Sequence, residues 1–172
     1  MKKIIIALTI VFSFSNSAIA AAPDWVLPNA KITPGALNPS VTQANIKNNV
    51  CKANWTSTIR PTVAYTNKLK ATQMAGDYKY LQAQFGKASS AYEEDHLISL
   101  QLGGNPTDPK NLWPEPYVGN NARKKDVVES ALKRLVCAGT LKLSDAQKAI
   151  LNWPLAYKQY VTTKDKPDTS DN

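Results

Sequence analysis

The sequence predicts a small α+β domain in which a strand–turn–strand unit runs into an amphipathic helix and further helices flank both. Three observations predict it. His96, Ile98, Leu100 and Leu102 alternate at period two ahead of a Gly103-Gly104-Asn105-Pro106 turn, as a strand that folds back on itself does. Between Asn121 and Cys137, Val127, Ala131, Leu132, Leu135 and Val136 form one helical stripe. The 172 residues, 43% hydrophobic and 20% charged, suit one domain with a core. Seven glycines without a period exclude collagen-like and repeat architectures. A single His and two Cys exclude a zinc ribbon and an all-His metal cage.

Met1-Lys2-Lys3, the apolar run Ile4 to Phe14 and the small residues of Ser17-Ala18-Ile19-Ala20 have the three regions of a secretory signal peptide, residues 1–20. An uncleaved anchor is the alternative, but the run falls short of the roughly 20 residues of a span. The mature domain is expected over residues 21–163, in the periplasm or secreted. Export places Cys51 and Cys137 in an oxidising compartment, where a disulfide between them is expected. Two free buried thiols are the other possibility. Without Lys2 and Lys3 the net charge falls from +8 to +6. That excess suits a polyanionic partner, nucleic acid or an anionic envelope surface.

Along the mature chain, residues 21–35 are proline-rich and read as an extended arm. Asn38-Pro39-Ser40 opens a short helix over 41–49. Residues 55–61 read as irregular. A helix follows over 65–74, with Lys68 and Lys70 outward, and Gly76-Asp77 stops it. Residues 78–92 read as loop and turns. The first strand is expected over Glu94–Leu102. The return strand, Asn111-Leu112-Trp113, is cut short by Pro114 and Pro116. The helix over 121–137 ends with Gly139 as its C′ residue. Ser144 and Gln147 have capping-box spacing and open a helix carrying Ala146, Ile150, Trp153 and Tyr157, kinked at Pro154. Residues 164–172 read as a polar, disordered tail. Trp55, Trp113 and Trp153 read as core rather than base-stacking residues.

The chemistry concentrates between residues 93 and 125. Asp95-His96-Leu97-Ile98, Gly103-Gly104, Asn111-Leu112 and Asn121-Ala122-Arg123-Lys124 follow one another there. This order and spacing resembles the HNH endonucleases, whose core is a ββα-metal finger. The longer strings Glu93-Glu94-Asp95-His96-Leu97-Ile98-Ser99-Leu100 and Asn111-Leu112-Trp113-Pro114-Glu115-Pro116 resemble a secreted bacterial branch of them, which Cys51, Arg60-Pro61 and Cys137 also fit. The resemblance implies a ββα-metal core over about residues 92–137 and metal-dependent hydrolysis of nucleic acid phosphodiesters, DNA ahead of RNA.

It also implies the roles. His96, the only imidazole, activates water as a general base. Asn111 fixes its ring. Asp95 and Asn121 hold the ion. Mg²⁺ suits a site with few protein ligands and several waters, with Mn²⁺, Ni²⁺ or Zn²⁺ as alternatives. Arg123, Lys124 and Lys125 at the helix start contact the phosphate backbone. Two points stay open. In a regular strand Asp95 and His96 point to opposite faces and Glu94 shares the face of His96, so either the strand bends or Glu94 replaces Asp95. Asn120 or Asp126 can replace Asn121. Glu115, between two prolines, carries no role from sequence. The competing class is a non-catalytic periplasmic module that keeps the fold and binds DNA or another polyanion. A secreted toxin of the same chemistry is a third reading.

Overall fold

The structure is a computed structural model and describes residues 25–165. The expected signal peptide and most of the expected tail lie outside the described residues. An N-terminal arm leads through a 3-10 turn at Ile46–Asn48 to α1 (Trp55–Ile59), α2 (Val63–Ala75) and α3 (Leu81–Phe85). Strands β1 (Tyr92–His96) and β2 (Leu112–Pro116) follow, then α4 (Asn121–Cys137), α5 (Leu143–Ile150) and α6 (Trp153–Tyr160).

Local chemistry explains the boundaries. Arg60 precedes Pro61, which forces it into an extended conformation and ends α1. The Thr62 hydroxyl accepts from Tyr65 N–H and caps α2. At the end of α4, Gly139 has φ +77°. Its N–H reaches Val136 O at 3.0 Å and that of Thr140 reaches Leu135 O at 3.1 Å, a Schellman closure.

The two strands pair antiparallel, one to one, from Tyr92↔Pro116 to His96↔Leu112. The ladder continues at both ends, through Leu97 N–H to Asn111 O and Tyr117 N–H to Ala91 O. Hydrogen-bonded pairs alternate in such a ladder. Pro114 and Pro116 therefore occupy the positions that owe no hydrogen bond to β1, which is why β2 runs through them instead of stopping at Trp113. The first strand is shorter than its alternation suggested. It ends at His96, and Leu100–Leu102 form a 3-10 turn whose Ser99 hydroxyl accepts from Gln101 N–H.

Other expectations shift for similar reasons. Residues 41–49 form turns and only one 3-10 turn, while 55–59 and 81–85 are helical. Lys70 points inward, donating to Tyr92 O at 2.8 Å. Ser144 does not cap α5; Leu143 N–H is met by Gln43 Oε1 at 2.7 Å, and Gln147 donates to Leu102 O. Pro154 lies in the first turn of a separate helix, α6, capped by Asn152. Lys164 and Asp165, placed in the tail from sequence, form a 3-10 turn with Thr163, and Asp165 pairs with Arg134 at 2.9 Å.

Two apolar clusters hold the fold. One joins Val41, Ile46 and Val50 to Val128, Leu132 and Val136 of α4 and to α5 and α6. The other surrounds Trp113 with Tyr78, Leu81, Met74 and Tyr92. Trp113 and Trp153 are fully buried. Cys51 and Cys137 form a disulfide, with Cα atoms 5.5 Å apart, a bond that fits an oxidising compartment. Among the described residues no helix is long and apolar enough to cross a membrane.

Candidate active site

The free edge of β1 opens on a cleft of about 240 Å³. Glu93, Glu94, Asp95 and His96 all line it, together with Arg60, Ser99, Arg123, Asp126 and Glu129. Four consecutive strand residues border this edge of β1, Glu93 and Asp95 from one face and Glu94 and His96 from the other. Asp95 and His96 therefore share the cleft without a bulge.

His96 is buried, and its Nε2 lies 2.9 Å from Pro106 O. A carbonyl oxygen only accepts, so Nε2 carries the proton and the neutral ring presents Nδ1 as its base. Burial lowers the His96 pKa; the Pro106 carbonyl and Asp95 oppose this, while Lys125 and Arg60 add to it. The ring is thus held unprotonated near neutral pH.

Asn111 does not touch that ring. Fully buried, it accepts from Ile98 N–H at 2.9 Å and donates to Ile98 O and Asn105 O at 3.0 and 2.9 Å. It folds the connection between the strands, and so sets where Pro106 meets His96. Gly104 is required for the same turn. A Cβ there would fall 1.7 Å from Ile98 O and 2.8 Å from Asn111 Nδ2.

Lys125 is not a phosphate contact. Its side chain is 1% exposed. The ammonium forms an ion pair with Asp95 Oδ2 at 2.7 Å and donates to Glu129 Oε1 at 2.5 Å and His96 O at 2.9 Å. Burial alone would lower its pKa, but Asp95, Glu129 and Glu115 outweigh that and hold it well above the ordinary value. Glu129 in turn accepts from Ser99 Oγ at 2.7 Å. Lys124 sits 4.6 Å over the Trp25 ring, beside Trp153 and Tyr157, and does not line the cleft. Of the three basic residues at the helix start, Arg123 alone lines the cleft, 3.5 Å from Asp126. Arg60 lines it too, exposed and without an ion pair among the described residues.

Asn121 is also committed elsewhere. Its Oδ1 accepts from Val26 N–H at 2.8 Å, and its Nδ2 donates to Val26 O at 3.3 Å and Glu115 Oε1 at 2.6 Å. It clamps the N-terminal arm to β2 and its amide oxygen is not turned to the cleft. The side chain of Asn120 lies outside the described residues. Asp126 is half exposed beside Arg123.

Glu115, to which the sequence assigned nothing, is fully buried. It stands opposite Glu93 in the ladder. Among the described residues, Glu93, Asp95 and Glu115 are the one group of three whose ligand atoms lie within 4.8 Å of one another. Burial, then the Asp95 charge, raises the pKa of Glu115 well above the carboxylate range. Glu93 is raised by the same two causes. Glu94, on the other face, has both carboxyl oxygens buried without a hydrogen bond. Burial and Asp95 push it up to about 8 against the pull of Lys70. The signal for Glu115 was the register itself, which the flanking prolines concealed. Arg60 reaches the cleft through the fold of α1, which no local pattern marks.

An oxygen-rich donor set beside a neutral imidazole can hold a hard divalent cation and accept a proton from water. No family model, curated protein or solved structure matches this chain.

Proposed function

We propose that this protein is an exported nuclease of the HNH, ββα-metal type, hydrolysing nucleic acid phosphodiesters with a divalent cation, DNA ahead of RNA. The observation that carries the reading is that His96, its Nε2 bound to Pro106 O, lines one cleft with Asp95 and Glu93. His96 Nδ1 takes the proton of the attacking water. The Pro106 carbonyl fixes the ring and its tautomer, and gains strength as the ring becomes cationic. Asp95 holds the cation, whose chemistry when bound is to offset negative charge on the phosphate and the leaving oxygen. Arg60 and Arg123 bring positive charge to a cleft otherwise lined by carboxylates and hold the phosphate backbone without reading bases. The strand order, turn and helix of residues 92–137 support the family assignment, as does the run of motifs in the sequence.

Plasmid cleavage by the disulfide-bonded protein, with EDTA and then with Mg²⁺ or Mn²⁺, tests the reading. Cleavage is expected only with metal. His96→Ala should slow it about 10²–10⁴-fold while DNA binding persists. A folded protein that binds DNA but cuts neither DNA nor RNA with any divalent ion would instead be the non-catalytic module.

A further inference from the structure

We infer that the cation is held by carboxylates alone, on Glu93, Asp95 and Glu115, and that Asn121 orients Glu115 instead of ligating. This deepens the nuclease reading by naming its metal ligands, and it is tested without substrate.

The spacing suits one ion. Two oxygens on one cation lie at most two bond lengths apart. That limit is roughly 4.6–5.2 Å for Ca²⁺ and about 4.0–4.2 Å for Mg²⁺. Ligand atoms within 4.8 Å of one another are close enough for one ion to gather with shifts of up to about 1 Å.

The second observation is an orphaned oxygen. Glu115 is fully buried, its Oε1 takes the Asn121 amide, and its Oε2 is buried with no hydrogen-bond partner. Such an oxygen is costly to bury unless a cation meets it or Glu115 carries a proton shared with the Asp95 carboxyl beside it. The Lys125 ammonium beside Asp95 already marks the place as one that holds a cation. Asn121 holds Val26 with both Oδ1 and Nδ2 and does not line the cleft, whereas its Nδ2 already fixes Glu115. A hydrogen-bonded carboxylate ligand is the usual second layer of a metal site. The set contains no nitrogen or sulfur donor, which suits Mg²⁺, Mn²⁺ or Ca²⁺.

The test is a Mn²⁺ titration of the disulfide-bonded protein without nucleic acid, followed by the loss of the free-ion EPR signal, with melting temperatures recorded with and without Mn²⁺. One Mn²⁺ per chain is expected. Glu115→Gln should weaken binding at least about tenfold. Without metal it should melt no lower than the wild type, because a buried acid has been removed. Mn²⁺ should then no longer raise its melting temperature. Glu93→Gln, at a less buried position, should lose binding in the same way with the fold intact. Asp126→Asn should bind as the wild type does. Unchanged affinity in both Gln variants, or an equal loss in Asp126→Asn, would overturn the inference. Mn²⁺ binding that both Gln variants lose, in a protein that cuts no nucleic acid, would sink the nuclease reading and leave this one standing.

Discussion

The Lys125 ammonium lies 2.7 Å from Asp95 Oδ2, with both groups withdrawn from water. The same ammonium donates to the carbonyl of His96. One helix residue thus fixes the side chain of one site residue and the backbone of the next. A residue that sequence placed at a phosphate is the internal counter-ion of the site.

Replacing Lys125 by Met should therefore cost stability far more than charge. Asp95 and Glu129 would be left without their shared cation, and breaking a buried pair by removing one partner typically costs about 3–5 kcal/mol. Lys124→Met should change stability by about 1 kcal/mol or less, the scale of an exposed cation–π contact. Urea denaturation of the metal-free proteins at pH 7 reads both.

Glu94 makes stability fall as pH rises. Its folded-state pKa is about 8, raised by burial and by Asp95. In the unfolded chain it ionises near 4.5. Between these values the unfolded state releases a proton that the folded state keeps, so the folded state loses ground as pH rises through that window. Glu94→Gln removes the effect. In EDTA, the stability difference between Glu94→Gln and wild type should grow from pH 4.5 to pH 8 by an amount on the order of 2–4 kcal/mol. A difference that stays flat across the window would contradict the burial of an uncompensated Glu94.

The connection between the strands should fail at Asn111 and Gly104. Asn111→Ala leaves the buried backbone N–H and C=O of Ile98 and the part-buried C=O of Asn105 without this partner, at about 1–3 kcal/mol per buried group. Amide exchange should quicken over residues 98–105. Gly104→Ala should be more damaging than Gly139→Ala. The added methyl meets backbone at 1.7 Å in the first and open space in the second. Gly139→Ala keeps only the strain of φ +77°, about 1 kcal/mol. Thermal melts of the two alanine variants should separate them clearly.

Reduction of Cys51–Cys137 should lower stability by about 2–5 kcal/mol. The bond closes a sequence separation of 86 residues and ties the turn after Ile46–Asn48 to the end of α4. Denaturation with and without a reducing agent gives the difference directly.

The sequence by itself determined the local features. Helical spacing and a glycine two residues past Cys137 sufficed for α4, because a Schellman end uses only neighbouring residues. With two cysteines in the chain, one disulfide was the only pairing to form within it. The order of strand, turn, strand and helix was legible from its apolar periods and breakers, though β1 began two residues earlier and ended six earlier than its alternation implied. Tertiary structure decided the rest. Lys125 and Glu129, four apart on a helix, read equally as a solvated pair; docking of α4 on β1 buried them. Asn111 and Asn121 carry identical amides that could serve a ring or an ion. Which groups they meet depends on residues 6 to 95 positions away. Glu115 acquired its neighbours only when β2 ran through two prolines and set it opposite Glu93. Hydrogen bonds and ion pairs act over about 3 Å, and only the packed chain determines which groups come that close.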